Sequence, residues 1–114
     1  MNKYLITILI ALMIIGGKVY LFSKDLVYVT KVNTAIQPIS AQYIIDNLNK
    51  AEDEGSVIFI IEQDTPGGLG ESMRAIIQKI LKSTIPVVVY VTPSGARAAS
   101  AGFFILMAAD IAVM

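Results

Sequence analysis

Ser100 is the only polar side chain between Ala98 and Ala109, in the stretch AASAGFFILMAA. A segment apolar on every face predicts a helix buried on every face. A hydroxyl inside it needs a reason, because burying one unpaired costs about 1–3 kcal/mol. Ser100 falls in the first turn of that expected helix, after the loop PSGARA (Pro93 to Ala98) and the apolar run PVVVYV (Pro86 to Val91). A serine at a helix start behind a strand is where a fold displays a nucleophile. Backbone N–H groups and the positive end of the helix dipole there meet developing negative charge. Capping is the ordinary alternative, and on this window alone it stands ahead.

A second feature reverses that order. After the strand-like run VIFIIE (Val57 to Glu62) comes Asp64-Thr65-Pro66-Gly67-Gly68, and then an amphipathic helical pattern. Adjacent glycines let backbone N–H groups approach a ligand with no Cβ in the way, and the proline fixes the turn that leads into them. The same tetrad is ordinary turn chemistry when it stands alone. Here it pairs with the serine segment: one donor loop and one nucleophile, each at the carboxyl end of its own strand. Ligand sites of open α/β sheets collect at that edge.

These residues resemble a known family. Ile60 to Met114 is similar to the Clp-protease-class serine peptidases of membrane-bound NfeD type, within the wider ClpP/crotonase fold. DTPGG, PVVVYV and GARAASAG carry the likeness, in the family's order and spacing, and it extends from about Leu26 to Met114. The resemblance implies that Ser100 is the nucleophile. It implies an oxyanion hole made by the backbone N–H groups of Gly67, Gly68 and Ala101. The family's general base is a lysine further beyond the serine, whereas the last lysine here is Lys82. The implied activity is endoproteolysis of apolar stretches in peptide or membrane-protein substrates, stomatin-like partners among them.

The residues reach the same gap without the family. A serine hydroxyl needs a base within hydrogen-bond reach, and with no histidine a Ser-His-Asp arrangement is impossible. Asp64 is expected to cap its own turn, and Asp110 to end the serine helix. Lys79 and Lys82 fall in the last turn of the helix after the Gly-Gly loop, where cations suit the dipole. That is the end away from the expected oxyanion site. Arg97 cannot deprotonate anything. Nothing in this stretch activates Ser100.

The elements that must position these groups alternate along the chain. Leu26 to Val32 reads as a strand, and Pro38 opens a helix whose Ala41, Ile44, Ile45, Leu48 and Ala51 share one face. Glu52-Asp53-Glu54 reads as a solvated charged tail to that helix. The nearly all-apolar run Val57 to Glu62 predicts a strand covered on both faces. Met73, Ile76, Ile77, Ile80 and Leu81 make the core stripe of the next helix. Pro86 opens a third strand, and Ile111 to Met114 begins a fourth. The expected class is α/β, ClpP/crotonase-like, with a mostly parallel sheet built from right-handed βαβ units and incomplete at the C-terminus. A fragment of a longer protein is favoured over an oligomer that buries the last strand's edge. Homo-oligomerisation is expected at full length.

Composition narrows the function classes. The 114 residues carry nine basic and nine acidic side chains and no cysteine. Nucleic-acid binding has no electrostatic support. Disulfides and thiolate chemistry are excluded, a transition-metal site is not expected, and no cofactor is implied. Met1 to Ser23 reads as a signal peptide or signal anchor: Lys3 supplies the positive start and Leu5 to Ile15 the apolar core. That core is too short to span the bilayer by itself. With Lys18 snorkelling, a helix from Tyr4 to Phe22 would be retained as an anchor. Residues 24–114 are then the N-terminal part of the protease domain, on the outer side of the membrane. Two other readings are a crotonase-type acyl-CoA enzyme, disfavoured by the export segment, and a non-catalytic membrane-anchored interaction module.

Overall fold

The computed structural model describes residues 2–15 and 24–114. The elements run α1 (Lys3–Ile15), β1 (Val27–Asn33), α2 (Pro38–Asp53), β2 (Ile58–Asp64), α3 (Gly70–Leu81), β3 (Val87–Val91), α4 (Ala101–Ala108) and β4 (Ile111–Val113). Four strands form one sheet in the order β1-β2-β3-β4, and every neighbouring pair is parallel. Strict alternation of strand and helix leaves few other solutions, because a parallel neighbour requires a crossover.

Burial on β2 alternates residue by residue: Phe59, Ile61 and Gln63 are buried, while Ile58, Ile60, Glu62 and Asp64 are half-buried. The inward row continues through Thr30 and Val32 of β1 and Val87, Val89 and Val91 of β3. It meets Ile44 and Leu48 of α2, Ile76 and Ile80 of α3 and Ile105 of α4 in a single core. The expectation that Val57 to Glu62 is covered on both faces gives way to a period-two pattern, buried on one face and half-buried on the other. Helices α2, α3 and α4 pack on the buried face.

The α2 stripe follows the sequence reading, with Ala41, Ile44, Leu48 and Ala51 buried. Pro38 supplies the fixed φ of a first helical position, and the Ser40 hydroxyl accepts the Gln37 N–H at 2.8 Å. On α3, Leu81 departs from its expected place in the core. It is the last residue of the helix, one position round from Ile80, and stands exposed.

At the charged end of α2, Asp53 and Glu54 are exposed as expected, but Glu52 is not a solvated acid. Glu52 Oε2 lies 2.6 Å from Lys79 Nζ, and Oε1 accepts the Thr84 N–H at 2.9 Å. The pair ties the C-terminal ends of α2 and α3 to the loop entering β3. Partial burial by itself would raise the Glu52 pKa, but the bonds from Lys79, Thr84 and Ser83 outweigh it and the value is lowered.

Helix α4 also departs from expectation. Only Ala101, Gly102, Ile105 and Leu106 are buried. Phe103, Phe104 and Met107 are exposed, as is every residue of β4. One side of this short helix packs on α3 and β3. No other element among the described residues covers the opposite side.

Helix α1 forms over the apolar run after Lys3. No helix among the described residues is long and apolar enough to cross a membrane. The expected continuation from Gly16 to Phe22 lies outside the described residues.

Candidate active site

The first arm of the site grows from the carboxyl end of β2. Beyond Asp64 the chain makes a sharp turn through Thr65 and Pro66 into Gly67, which has φ 107°. The next three residues run alongside Ile36. The Ile36 N–H donates to the Gly67 carbonyl at 2.8 Å, and the Leu69 N–H donates to the Ile36 carbonyl at 2.7 Å. Gly68 sits between them as a one-residue parallel bridge to Ile36. Helix α3 begins directly afterwards, at Gly70.

The second arm grows from the carboxyl end of β3. The loop after Val91 returns to the end of β2 and adds a parallel bridge between Thr65 and Ala98. The Thr65 N–H donates to the Arg97 carbonyl at 2.8 Å, and the Ala99 N–H donates to the Thr65 carbonyl at 3.2 Å. Asp64 does not cap its own turn. Its Oδ1 accepts the Arg97 N–H at 2.9 Å, across the gap between the arms. Asp110 follows α4 as expected, and its Oδ2 accepts the Val87 N–H at 2.8 Å.

Ser100 closes the second arm. It is the N-cap of α4 rather than a first-turn residue, and it is exposed rather than buried. Its φ is 51° and its ψ −116°, the only positive φ at a non-glycine among the described residues. Its hydroxyl makes no capping bond, so the capping reading has no support in the geometry. A strained residue directly before a helix holds its side chain clear of the backbone, as in the strand-to-helix turns that carry a nucleophile. Such strain costs about 1–3 kcal/mol and persists only where the surroundings enforce it.

The two arms meet. A Cβ built on Gly67 would lie 2.7 Å from Ser100 Cβ and 3.1 Å from the Ala99 carbonyl oxygen. Of the three N–H groups expected to face a substrate oxygen, that of Gly67 is buried and donates to Thr65 Oγ1 at 3.2 Å. Those of Gly68, which is exposed, and of Ala101, the first residue of α4, have no protein acceptor among the described residues. No titratable side chain there hydrogen-bonds to Ser100. Lys79 is committed to Glu52 at the far end of α3. No group of three or more acidic side chains converges to hold a metal ion among the described residues.

Two contributors lay outside the sequence reading. Gln63, fully buried on β2, donates from Nε2 to the Gly102 carbonyl in the first turn of α4 at 3.0 Å. Thr65, also fully buried, joins both arms. A polar residue at an inward position of an otherwise apolar strand was the available signal for Gln63.

A parallel α/β sheet with these paired loops at its carboxyl edge is a ClpP-like fold. In superposition, ClpP1 of Listeria monocytogenes (an N165D mutant) matches with TM-score 0.65 and 25% identity, over 71% of this chain and 46% of that one. Residues 26–114 match the family model of the NfeD1b N-terminal domain, and the chain belongs to that family. It is 37% identical over 94 residues to the membrane-bound protease PH1510 of Pyrococcus horikoshii, covering 82% of this chain and 21% of that protein. It is 36% identical over 87 residues to membrane protein NfeD1b of Bacillus subtilis, covering 76% and 19%. Among solved structures, a lysine-to-alanine mutant of the 1510-N membrane-bound stomatin-specific protease, in complex with a substrate peptide, matches with TM-score 0.74 and 39% identity. That match covers 77% of this chain and 40% of that one. The chain thus spans about a fifth of the length of the curated relatives it matches.

Proposed function

We propose that this chain is the nucleophile-bearing part of a membrane-associated serine endopeptidase of Clp class, with Ser100 as the attacking residue. The observation that carries the proposal is the strained, exposed Ser100 at the start of α4, pressed against Gly67 of the opposite loop. The names of the relatives agree with it, since PH1510 is called a membrane-bound protease and 1510-N a stomatin-specific one.

In this reading a substrate carbonyl carbon sits over Ser100 Oγ. The new bond forms between that oxygen and the carbonyl carbon while the hydroxyl proton passes to a lysine supplied by a longer chain. The carbonyl oxygen gains negative charge and takes hydrogen bonds from the Gly68 and Ala101 N–H groups, while the Gly67 N–H keeps its bond to Thr65 and holds the loop. The peptide C–N bond then breaks as the amine leaves with the lysine's proton. Water finally hydrolyses the ester at Ser100. The substrates are apolar stretches of membrane proteins, stomatin-like proteins among them. Met1 to about Ser23 directs the protein to the membrane, with the catalytic part on its outer side, and the full-length protein self-associates.

The 114-residue chain by itself has no appreciable turnover in this reading. A positioned general base contributes about 10²–10⁴-fold, and losing one member of a catalytic unit costs nearly as much as losing all of it. The test is hydrolysis of an apolar peptide by three proteins: this chain, the chain extended to the relatives' length, and the extended chain with Ser100→Ala. Only the second is expected to cleave. Equal cleavage by the Ser100→Ala protein removes the nucleophile assignment. Turnover by the short chain that vanishes in its own Ser100→Ala variant demands a base within these 114 residues.

A further inference from the structure

We infer that Thr65 is a positioning residue that fixes the oxyanion loop against the nucleophile. The inference rests on the serine-peptidase reading above and adds a residue to it.

Three consecutive residues at the end of β2 grip the serine segment. Gln63 Nε2 holds the Gly102 carbonyl, Asp64 Oδ1 holds the Arg97 N–H, and the Thr65 main chain pairs with Arg97 and Ala99 on either side of Ala98. Of the three, only Thr65 also holds the glycine turn of its own arm. Its Oγ1 accepts the Gly67 N–H at 3.2 Å, and its methyl occupies the space a side chain at Gly102 would need. The residue has no exposed surface.

Both halves of the threonine side chain matter. A β-branched residue has few χ1 choices, and the methyl seated on Gly102 selects one of them. That rotamer aims the hydroxyl at Gly67. Gly67 cannot swing away while its N–H is held, and its φ of 107° is a conformation that only a residue without a Cβ adopts freely. One buried side chain therefore couples the start of α4, which carries Ser100 and the Ala101 N–H, to the turn that presents the Gly68 N–H. An oxyanion donor works only in place: removing one costs about 10²–10³-fold in rate. Displacing one should cost part of that.

The experiment measures inactivation of the extended protein by a fluorophosphonate, whose phosphonyl oxygen occupies the same hole as a carbonyl oxyanion. The maximal rate and the half-saturating concentration are obtained for the unmodified protein and for Thr65→Val, Thr65→Ser, Thr65→Ala and Ser100→Ala, each per folded molecule by circular dichroism. Thr65→Val keeps the shape and loses the acceptor. It is expected to lower the maximal rate by about tenfold or more, with half-saturation within about twofold. Thr65→Ser keeps the acceptor and is expected to recover most of the rate. An unchanged rate in Thr65→Val overturns the inference, as does a Thr65→Ser rate no higher than that of Thr65→Val. Should Thr65→Val fail to fold, Thr65→Ser against Thr65→Ala decides in the same way, equal rates overturning the inference. Labelling that survives Ser100→Ala, or no labelling of the unmodified protein, sinks the nucleophile reading instead. Ser100-dependent labelling that ignores Thr65 sinks only the positioning role.

Discussion

A Cβ on Gly67 would lie 2.7 Å from Ser100 Cβ and 3.3 Å from Ser100 Oγ. Gly67, in the loop after β2, and Ser100, at the start of α4, are thus in direct contact, although they lie 33 positions apart in sequence. Neither could be placed by local preference alone. Gly67 needs its positive φ to leave the β2 turn, and Ser100 needs its own to enter the helix.

Gly67→Ala should therefore act on both arms. The added methyl meets side-chain and backbone atoms of the serine segment, and φ 107° strains any residue with a Cβ. The expected outcome is a stability loss of about 1–3 kcal/mol, with phosphonate labelling of Ser100 reduced by at least tenfold, on the order of a displaced oxyanion donor. Denaturant unfolding and labelling rates on the same preparation check it. A stable Gly67→Ala protein that labels normally would show that the contact is not tight.

Ser100→Gly should do the opposite to stability. Glycine reaches φ 51°, ψ −116° without the steric penalty carried by a serine. Relief of about 1–2 kcal/mol is expected, less the entropy cost of an added glycine. The same change removes the hydroxyl and with it all labelling. A higher unfolding midpoint in Ser100→Gly than in Ser100→Ala, with both inactive, is the diagnostic result. Equal midpoints would mean that the backbone is not strained.

The Glu52–Lys79 pair gives a pH dependence of known sign. Glu52 has a lowered pKa in the folded protein, so its contribution to stability is complete above the ordinary glutamate range and fades as pH falls through the folded value. Stability should rise from strongly acidic pH toward neutrality. In Glu52→Gln that part of the rise should be missing, and stability at neutral pH should be lower by about 1.5–3 kcal/mol, the scale of a hydrogen bond to a charged group. Urea unfolding across the acid range checks both. A parallel pH profile in the variant would show that Glu52 is not the titrating group.

Much of this was legible in the sequence because the signals were local. The helical stripe of α2, the strand runs and the DTPGG and serine segments each declare themselves within a dozen residues. Their order fixes a parallel sheet through the need for crossovers. What stayed hidden was the pairing of groups far apart in sequence. Glu52 read as a solvated acid because its partner Lys79 lies on the next helix, and Asp64 read as a turn cap because its acceptor role is toward Arg97 on the other arm. The same limit hid the bond from the Gly67 N–H to Thr65 Oγ1. Helix α4 failed differently: an all-apolar segment says how much surface is to be covered, not which elements cover it. Phe103, Phe104 and Met107 remain uncovered by the described residues.

Thr30 offers a test of the core by itself. It is buried in the middle of β1, and its hydroxyl has no hydrogen-bond partner among the described residues. An unsatisfied buried hydroxyl costs about 1–3 kcal/mol, whereas an apolar group of the same shape carries no such cost. Thr30→Val should therefore raise stability by about 1 kcal/mol, and its shape should leave Ile61, its partner on β2, undisturbed. Chemical denaturation with unchanged m-value is the check. A loss of stability would show that the hydroxyl has an acceptor after all.

The last prediction concerns the N-terminal segment. Helix α1 has 13 residues, about 20 Å at 1.5 Å per residue, against a hydrocarbon core of about 30 Å. Its side chains from Tyr4 to Ile14 are apolar apart from Thr7, and they are exposed, so nothing in the folded domain accounts for them. The export or anchoring proposed above would account for them, and it requires apolarity on every side rather than a single stripe. A charge placed on any side of the helix should then disable it, whereas a helix packed by one face would tolerate charges on its other faces. Ile10→Lys and Leu12→Lys, which lie on opposite sides of the helix at about 100° per residue, are each expected to leave the protein in the soluble fraction. A reporter enzyme that works only outside the cytoplasm, fused after Met114, should be active on the unmodified chain and silent on both variants. Activity in either variant, or a silent reporter on the unmodified chain beside a working cytoplasmic one, would return α1 to the role of an ordinary packing helix.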